Sequence, residues 1–189
     1  MAIKIFIDQG HGPNVNAGAE AFGLYEQNIT FMVGAYLADI LSSDYRFEAK
    51  TSRTNITENV GYNNSSSLRT RVESANQFGA DYFISIHCNA NVNPSLNGTE
   101  AYVFQVGSAA YYLGEAIINE IVRRTETKLN GVFANPSLYV LRFTQMPAVL
   151  VELAYLTNPS DSFKLTYDQY QFAYGIYVGL LNYLGLPQQ

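Results

Sequence analysis

The chain has 189 residues, 48% of them hydrophobic and 14% charged, with a formal net charge of −5. Such a chain suits a single domain with its own core. No apolar run approaches the roughly 20 residues of a membrane span, and the acidic balance argues against nucleic acid or an anionic surface as an intrinsic partner. The one cysteine, Cys88, excludes an internal disulfide and a cysteine-based zinc knuckle.

In chain order, no secretory signal precedes the first strand, so export is expected to use another route. Ile3 to Asp8 reads as a buried strand running into Gln9-Gly10-His11-Gly12-Pro13. Ile29, Val33, Tyr36, Leu37, Ile40 and Leu41 recur at helical spacing and predict an amphipathic helix over about 26–42. Glu26 opens it, where the helix dipole favours a carboxylate whatever else it does. Tyr45, Phe47 and Ala49 alternate as a strand through about Ser52, and a polar loop follows to Ser67, which reads as the N-cap of a helix over Leu68–Phe78 closed by Gly79. The continuous apolar run from Tyr82 ends in His87-Cys88-Asn89-Ala90, as an interior strand covered on both faces would.

Beyond a turn-rich stretch to Gly98, Thr99–Val106 alternates as a strand and Ser108 to about Thr125 reads as a helix. A loop around Asn130-Gly131 to Pro136 leads to two closely spaced strands, Leu138–Arg142 and Ala148–Glu152. Thr157-Asn158-Pro159 starts another helix. Thr166 with Gln169 predicts a capping box for the last one, whose Tyr170, Tyr174, Tyr177, Val178, Leu181 and Leu184 form an apolar stripe. Residues 1–185 read as one domain, with 186–189 a tail or the start of a linker. The succession predicts an α/β fold, with about six strands in a mostly parallel or mixed sheet and helices on both faces.

Both histidines, His11 and His87, end strands, where α/β sheets gather their ligands. Either one alone is as readily an imidazole satisfied by local hydrogen bonds. With Glu26 they make a His, Glu, His set with an open fourth position, the arrangement catalytic zinc uses. Zinc hydrolysis also needs a carboxylate to move a proton. Glu152, at a third strand end, supplies it; the plainer readings are a salt-bridge partner or a fourth ligand. Strand alternation turns Cys88 away from His87, so it reads as a buried thiol and not a nucleophile. The chain has no His-Glu-x-x-His helix, no Gly-x-Ser-x-Gly elbow and no Gly-x-x-x-x-Gly-Lys loop.

Several separated segments carry a resemblance: Ile7-Asp8-Gln9-Gly10-His11-Gly12, Glu26-Gln27-Asn28, Ser52-Arg53-Thr54, Leu68-Arg69-Thr70-Arg71, Ile84 to Ala90, Gly98-Thr99-Glu100, and Met146 to Leu153 with Leu156-Thr157-Asn158. In that order the chain resembles the zinc-dependent N-acetylmuramoyl-L-alanine amidases of the type-3 family, found in cell-wall hydrolases and phage endolysins. The resemblance implies one zinc ion on His11, Glu26 and His87, catalysis by Glu152, and cleavage of the amide between the muramic acid lactyl group and the first L-alanine of the stem peptide in peptidoglycan. Asn55, where the family often has Asp, and Cys88, where alanine is commoner, depart from its pattern. In division-associated members of the family an inserted helix blocks the zinc; the span from Gly98 to Gly131 holds only the strand and helix already assigned, so an uncovered site is expected. A separate wall-binding module is expected too, and release by a holin, by lysis or from a larger precursor. The alternatives are a zinc amidohydrolase or peptidase cutting a different peptidoglycan bond, and a non-catalytic peptidoglycan-binding domain of this fold.

Overall fold

The computed structural model describes residues 2–188. Strand β1 (Ile3–Gln9) is followed by a short hairpin of β2 (Glu20–Ala21) and β3 (Leu24–Tyr25), then α1 (Glu26–Ser42), β4 (Phe47–Thr51), α2 (Asn64–Phe78), β5 (Tyr82–Asn89) and β6 (Thr99–Val103). The chain continues through α3 (Ala109–Thr125), β7 (Leu129–Ala134), α4 (Tyr139–Phe143), β8 (Ala148–Tyr155), α5 (Pro159–Tyr167) and α6 (Gln169–Leu184). Six strands form one sheet in the order β4-β1-β5-β8-β6-β7. β4, β1, β5 and β8 run parallel; β6 pairs antiparallel with β8 and carries β7 with it. Among the described residues no helix is long and apolar enough to cross a membrane.

Because successive side chains on a strand point to opposite faces, each buried strand feeds two cores. Ile5, Ile7, Ile84, Ile86, Val149 and Val151 pack with α1, α3 and α6. Phe6, Phe83, Ala148 and Leu150 pack with α2 and α4 on the other face. The expected α/β architecture, with helices on both faces, is the one observed.

Beyond shifts of a few residues at strand ends and the short β2–β3 hairpin, four differences from the sequence expectations have an identifiable physical cause. α2 begins at Asn64, a turn before Leu68, because Asn63 caps it: the Asn63 side chain accepts from the Ser66 N–H, and Ser66 returns the bond to the Asn63 backbone. Leu138–Arg142 is no strand. Its apolar residues belong to the short helix α4, which packs Val140 and Leu141 beneath α2. The expected loop at 130–136 is mostly the edge strand β7, half-exposed and interrupted by Asn130-Gly131, and so without an alternating hydrophobic period to betray it. No capping box joins Thr166 to Gln169: Thr166 lies inside α5, its hydroxyl donating to the Ser162 carbonyl, and Asp168 precedes α6 without a side-chain cap.

Ala2, Ile3, Tyr45, Arg46 and Leu186 line one recess, and Arg46 donates to the Pro187 carbonyl at 2.9 Å. Residues 186–187 therefore pack against the edge of the sheet at which β1 starts.

Candidate metal centre and active site

Three elements deliver three donors to the far end of β1. His11 follows β1 on a left-handed backbone, φ 66°. Glu26 is the first residue of α1, and its backbone N–H donates to the Ala19 carbonyl while Ala19 N–H donates to Glu26 Oε2 at 2.8 Å. His87 lies near the end of β5, on the α2 and α4 face. His11 Nε2 and Glu26 Oε1 are 3.0 Å apart, and His87 Nδ1 lies 3.1 Å from each of them. Tetrahedral zinc with bonds of about 2.0–2.1 Å holds donors about 3.3 Å apart, so this triangle fits one face of such a site with little adjustment. Zinc is thus compatible with the donor types and their spacing.

Space around the triangle is reserved by glycine. A Cβ added to Gly10 would sit 2.5 Å from His87 Cε1, and one on Gly18 would sit 2.5 Å from Glu26 Oε2 and 2.8 Å from the His11 ring. Burial opposes ionisation of Glu26, but hydrogen bonds and charge from His11 and His87 outweigh it and hold the carboxyl well below its ordinary range. Cys88 N–H donates to Glu26 Oε1 at 3.0 Å. The Cys88 thiol points into the opposite core, where burial first and then the charges of Glu26 and Glu152 raise its pKa.

Register places Glu152 directly beside His87 on β8, and Glu100 directly beside Glu152 on β6. The three ionisable side chains form one row across three strands. Glu152 is partly buried and its Oε2 has no hydrogen-bond partner. Burial, then the charges of Glu26 and Glu100, push its pKa well above the usual carboxylate value. Glu100, by contrast, accepts from Asn89 at 2.7 Å and Tyr102 at 2.8 Å on one oxygen, and from Asn130 at 3.2 Å on the other. All four residues singled out in the sequence are therefore brought to one rim. The two histidines open on a recess of about 270 Å³ that Arg71, Leu138 and Tyr139 also line, and the two imidazoles remain 17% and 19% exposed. α3 packs on α6 at the other face of the sheet.

Residues 5–182 match the model of the N-acetylmuramoyl-L-alanine amidase family, amidase type 3. The chain belongs to that family. The amidase domain is 34% identical over 165 residues to the N-acetylmuramoyl-L-alanine amidase CwlM of Bacillus licheniformis, covering 86% of this chain and 60% of that protein. It is 35% identical over 183 residues to the amidase LytC of Bacillus subtilis, covering 95% of this chain and 35% of LytC. It therefore spans less than two thirds of the length of CwlM and about a third of LytC. A crystal structure of an N-acetylmuramoyl-L-alanine amidase from Clostridium difficile 630 superposes with a TM-score of 0.87 at 33% identity, covering 97% of each chain.

Sequence reasoning left the surroundings of these four residues without roles in the amidase domain. Glu100 was visible only as part of a family segment, although its spacing of two from Tyr102 on a predicted strand puts the pair on one face. The loop that ties Ala19 to Glu26 gave no periodic signal. Asp8, Arg53 and Arg71 acquire their roles only when distant segments meet.

Proposed function

We propose that the chain is the zinc-dependent hydrolase of its family, cleaving the amide between N-acetylmuramic acid and L-alanine in peptidoglycan. One observation carries the reading: three donor atoms of His11, Glu26 and His87 stand 3.0–3.1 Å apart, with an unpartnered carboxylate, Glu152, next in register to His87. Zinc held there would lower the pKa of a bound water and act as Lewis acid toward the lactyl carbonyl. Glu26 supplies the anionic ligand, already ionised, and the imidazoles supply neutral nitrogens at His11 Nε2 and His87 Nδ1. Glu152 takes the proton of the attacking water and returns it to the departing alanine nitrogen. Its lack of a hydrogen-bond partner leaves Oε2 free for that exchange. Glu100, beside it, adds to its affinity for a proton. In the wall a separate binding module supplies targeting, since this domain carries a net charge of −5.

Digestion of purified muropeptides followed by mass spectrometry tests the bond. Products should be lactyl-terminated glycans and stem peptides with a free L-alanine amine. Cleavage between stem-peptide residues would replace this reading with a peptidase, and intact muropeptides after incubation with zinc-loaded protein would replace it with a binding domain.

A further inference from the structure

His11 is one of three non-glycine residues with positive φ among the described residues. A left-handed backbone is uncommon for a residue with a Cβ, although histidine adopts it more readily than most, and it is favoured where the surroundings hold it. Here the imposing groups are identifiable. Arg71, from α2, donates through Nη1 to the Gln9 carbonyl at 2.7 Å and through Nη2 to the His11 carbonyl at 2.6 Å, so one guanidinium forks across the carbonyls of the two residues on either side of Gly10. The carbonyl between them, Gly10 O, accepts from Thr30 Oγ1 at 2.7 Å. Arg53 Nη2 braces Thr30 Oγ1 at 3.3 Å and the Gln27 carbonyl at 2.8 Å. Both guanidiniums are enclosed, Arg71 at 3% and Arg53 at 1% exposure.

A buried cation this near a dication site would repel the metal unless compensated. Arg71 is compensated: Nη1 lies 2.5 Å from Asp8 Oδ1, while Asp8 Oδ2 accepts from Ser85 at 2.8 Å and Arg71 Nε donates to Ser67 at 3.1 Å. With donors committed to Asp8, Ser67 and two backbone carbonyls, Arg71 acts on the backbone of the His11 turn. We propose that Arg71, neutralised by Asp8, is a positioning residue that fixes the left-handed turn at His11 and so aims Nε2 into the ligand triangle before any metal arrives. The metal half of this statement rests on the zinc reading above.

The test uses Arg71→Lys, which keeps the charge opposite Asp8 but whose single ammonium cannot fork to both carbonyls. In metal-free protein, amide hydrogen exchange reads the turn itself, since Gly10 N–H donates to Ile86 O and Gly12 N–H to Asn16 O. Both amides should exchange at least about tenfold faster in the variant, with the amides of β8 unchanged. Zinc affinity, measured by competition with a chromophoric chelator, should weaken by roughly 10- to 100-fold, the usual effect of removing a group that orients a ligand. Wild-type exchange at Gly10 and Gly12, or uniform acceleration with unchanged zinc affinity, would overturn the proposal and leave Arg71 a general stabiliser. Should Arg71→Lys not fold, Asp8→Asn is measured the same way, with changes expected in the same direction and the same outcomes overturning the proposal. A wild-type protein that bound no zinc would remove the metal reading, and the exchange measurement would still decide the clamp.

Discussion

Glu152 carries opposite demands as a folded residue and as the proposed proton acceptor. Its folded pKa is raised above the ordinary carboxylate value, so the stability it allows is fully present below about pH 4.5 and is lost as pH rises through the folded value. Metal-free Glu152→Gln should therefore be more stable than the parent at pH 7–8, with the difference closing below pH 4.5. Urea titrations at the two pH values check this, and an equal stability difference at both would refute the assignment of the burial cost to this carboxyl. The same variant cannot accept a proton, so turnover should fall by roughly 10²–10⁴-fold at near-normal zinc content. Loss of zinc on that substitution would instead make Glu152 a ligand. At Gly10 the constraint is steric: Gly10→Ala forces a methyl to within 2.5 Å of the His87 ring, flanked by the Ile86 carbonyl at 2.7 Å. Metal analysis of that variant should show zinc lost from a chain that still folds, and stoichiometric zinc would show that the ring has room to move. Of the four proposed site residues, His11, His87 and Glu152 were legible because each stands near or just beyond the end of a buried strand, and Glu26 because it opens a strongly periodic helix close after His11. Arg53, Arg71 and Glu100 were not, because their partners lie far away in sequence and nothing local distinguishes them from surface charges.

The start of α5 was legible from its cap. Asn158 precedes Pro159 at the first turn of α5, accepts from the N–H groups of Ser160 and Asp161 at 3.0 Å, and donates to the Pro94 carbonyl at 2.8 Å. Asn158→Ala should cost about 1–2 kcal/mol, and Asn158→Asp, which keeps the cap but loses the donor to Pro94, should fall between. Chemical denaturation midpoints at constant slope give both values; a loss under a few tenths for the alanine variant would show that Asp161 holds this corner unaided, through its bonds from Gly98 and Tyr155 N–H. α4 was misread for a physical reason. Five residues cannot display a helical period, and Tyr139-Val140-Leu141 offers the same aromatic and branched composition as an edge strand. Only packing against α2 selects the helix. β7 is the converse case, a strand specified by its pairing with β6 while its own side chains remain half in solvent.

At the scale of the molecule, helices on both faces of a six-stranded sheet provide cores that do not pass through the His11, Glu26 and His87 cluster. Chelation should leave far-ultraviolet dichroism unchanged while abolishing hydrolysis; collapse of the dichroism at room temperature would mean the metal organises the fold. The α/β class followed from the alternation of element types, but the reversal of β6 and β7 did not, since strand order is decided by contacts between distant segments. That reversal also brings Glu100, near the start of β6, to the rim where β5 and β8 end. The recess shared by Ala2, Ile3 and Leu186 lies at the opposite edge. At about 3.3 Å per residue, the seven residues of β1 separate that edge from the His11 rim by roughly 20 Å. Both ends of the described chain thus behave as handles on the back of a tool. A polymer-binding domain tethered at either handle would leave the cutting edge free, and would change only how often that edge meets an insoluble substrate, through effective concentration and not through chemistry.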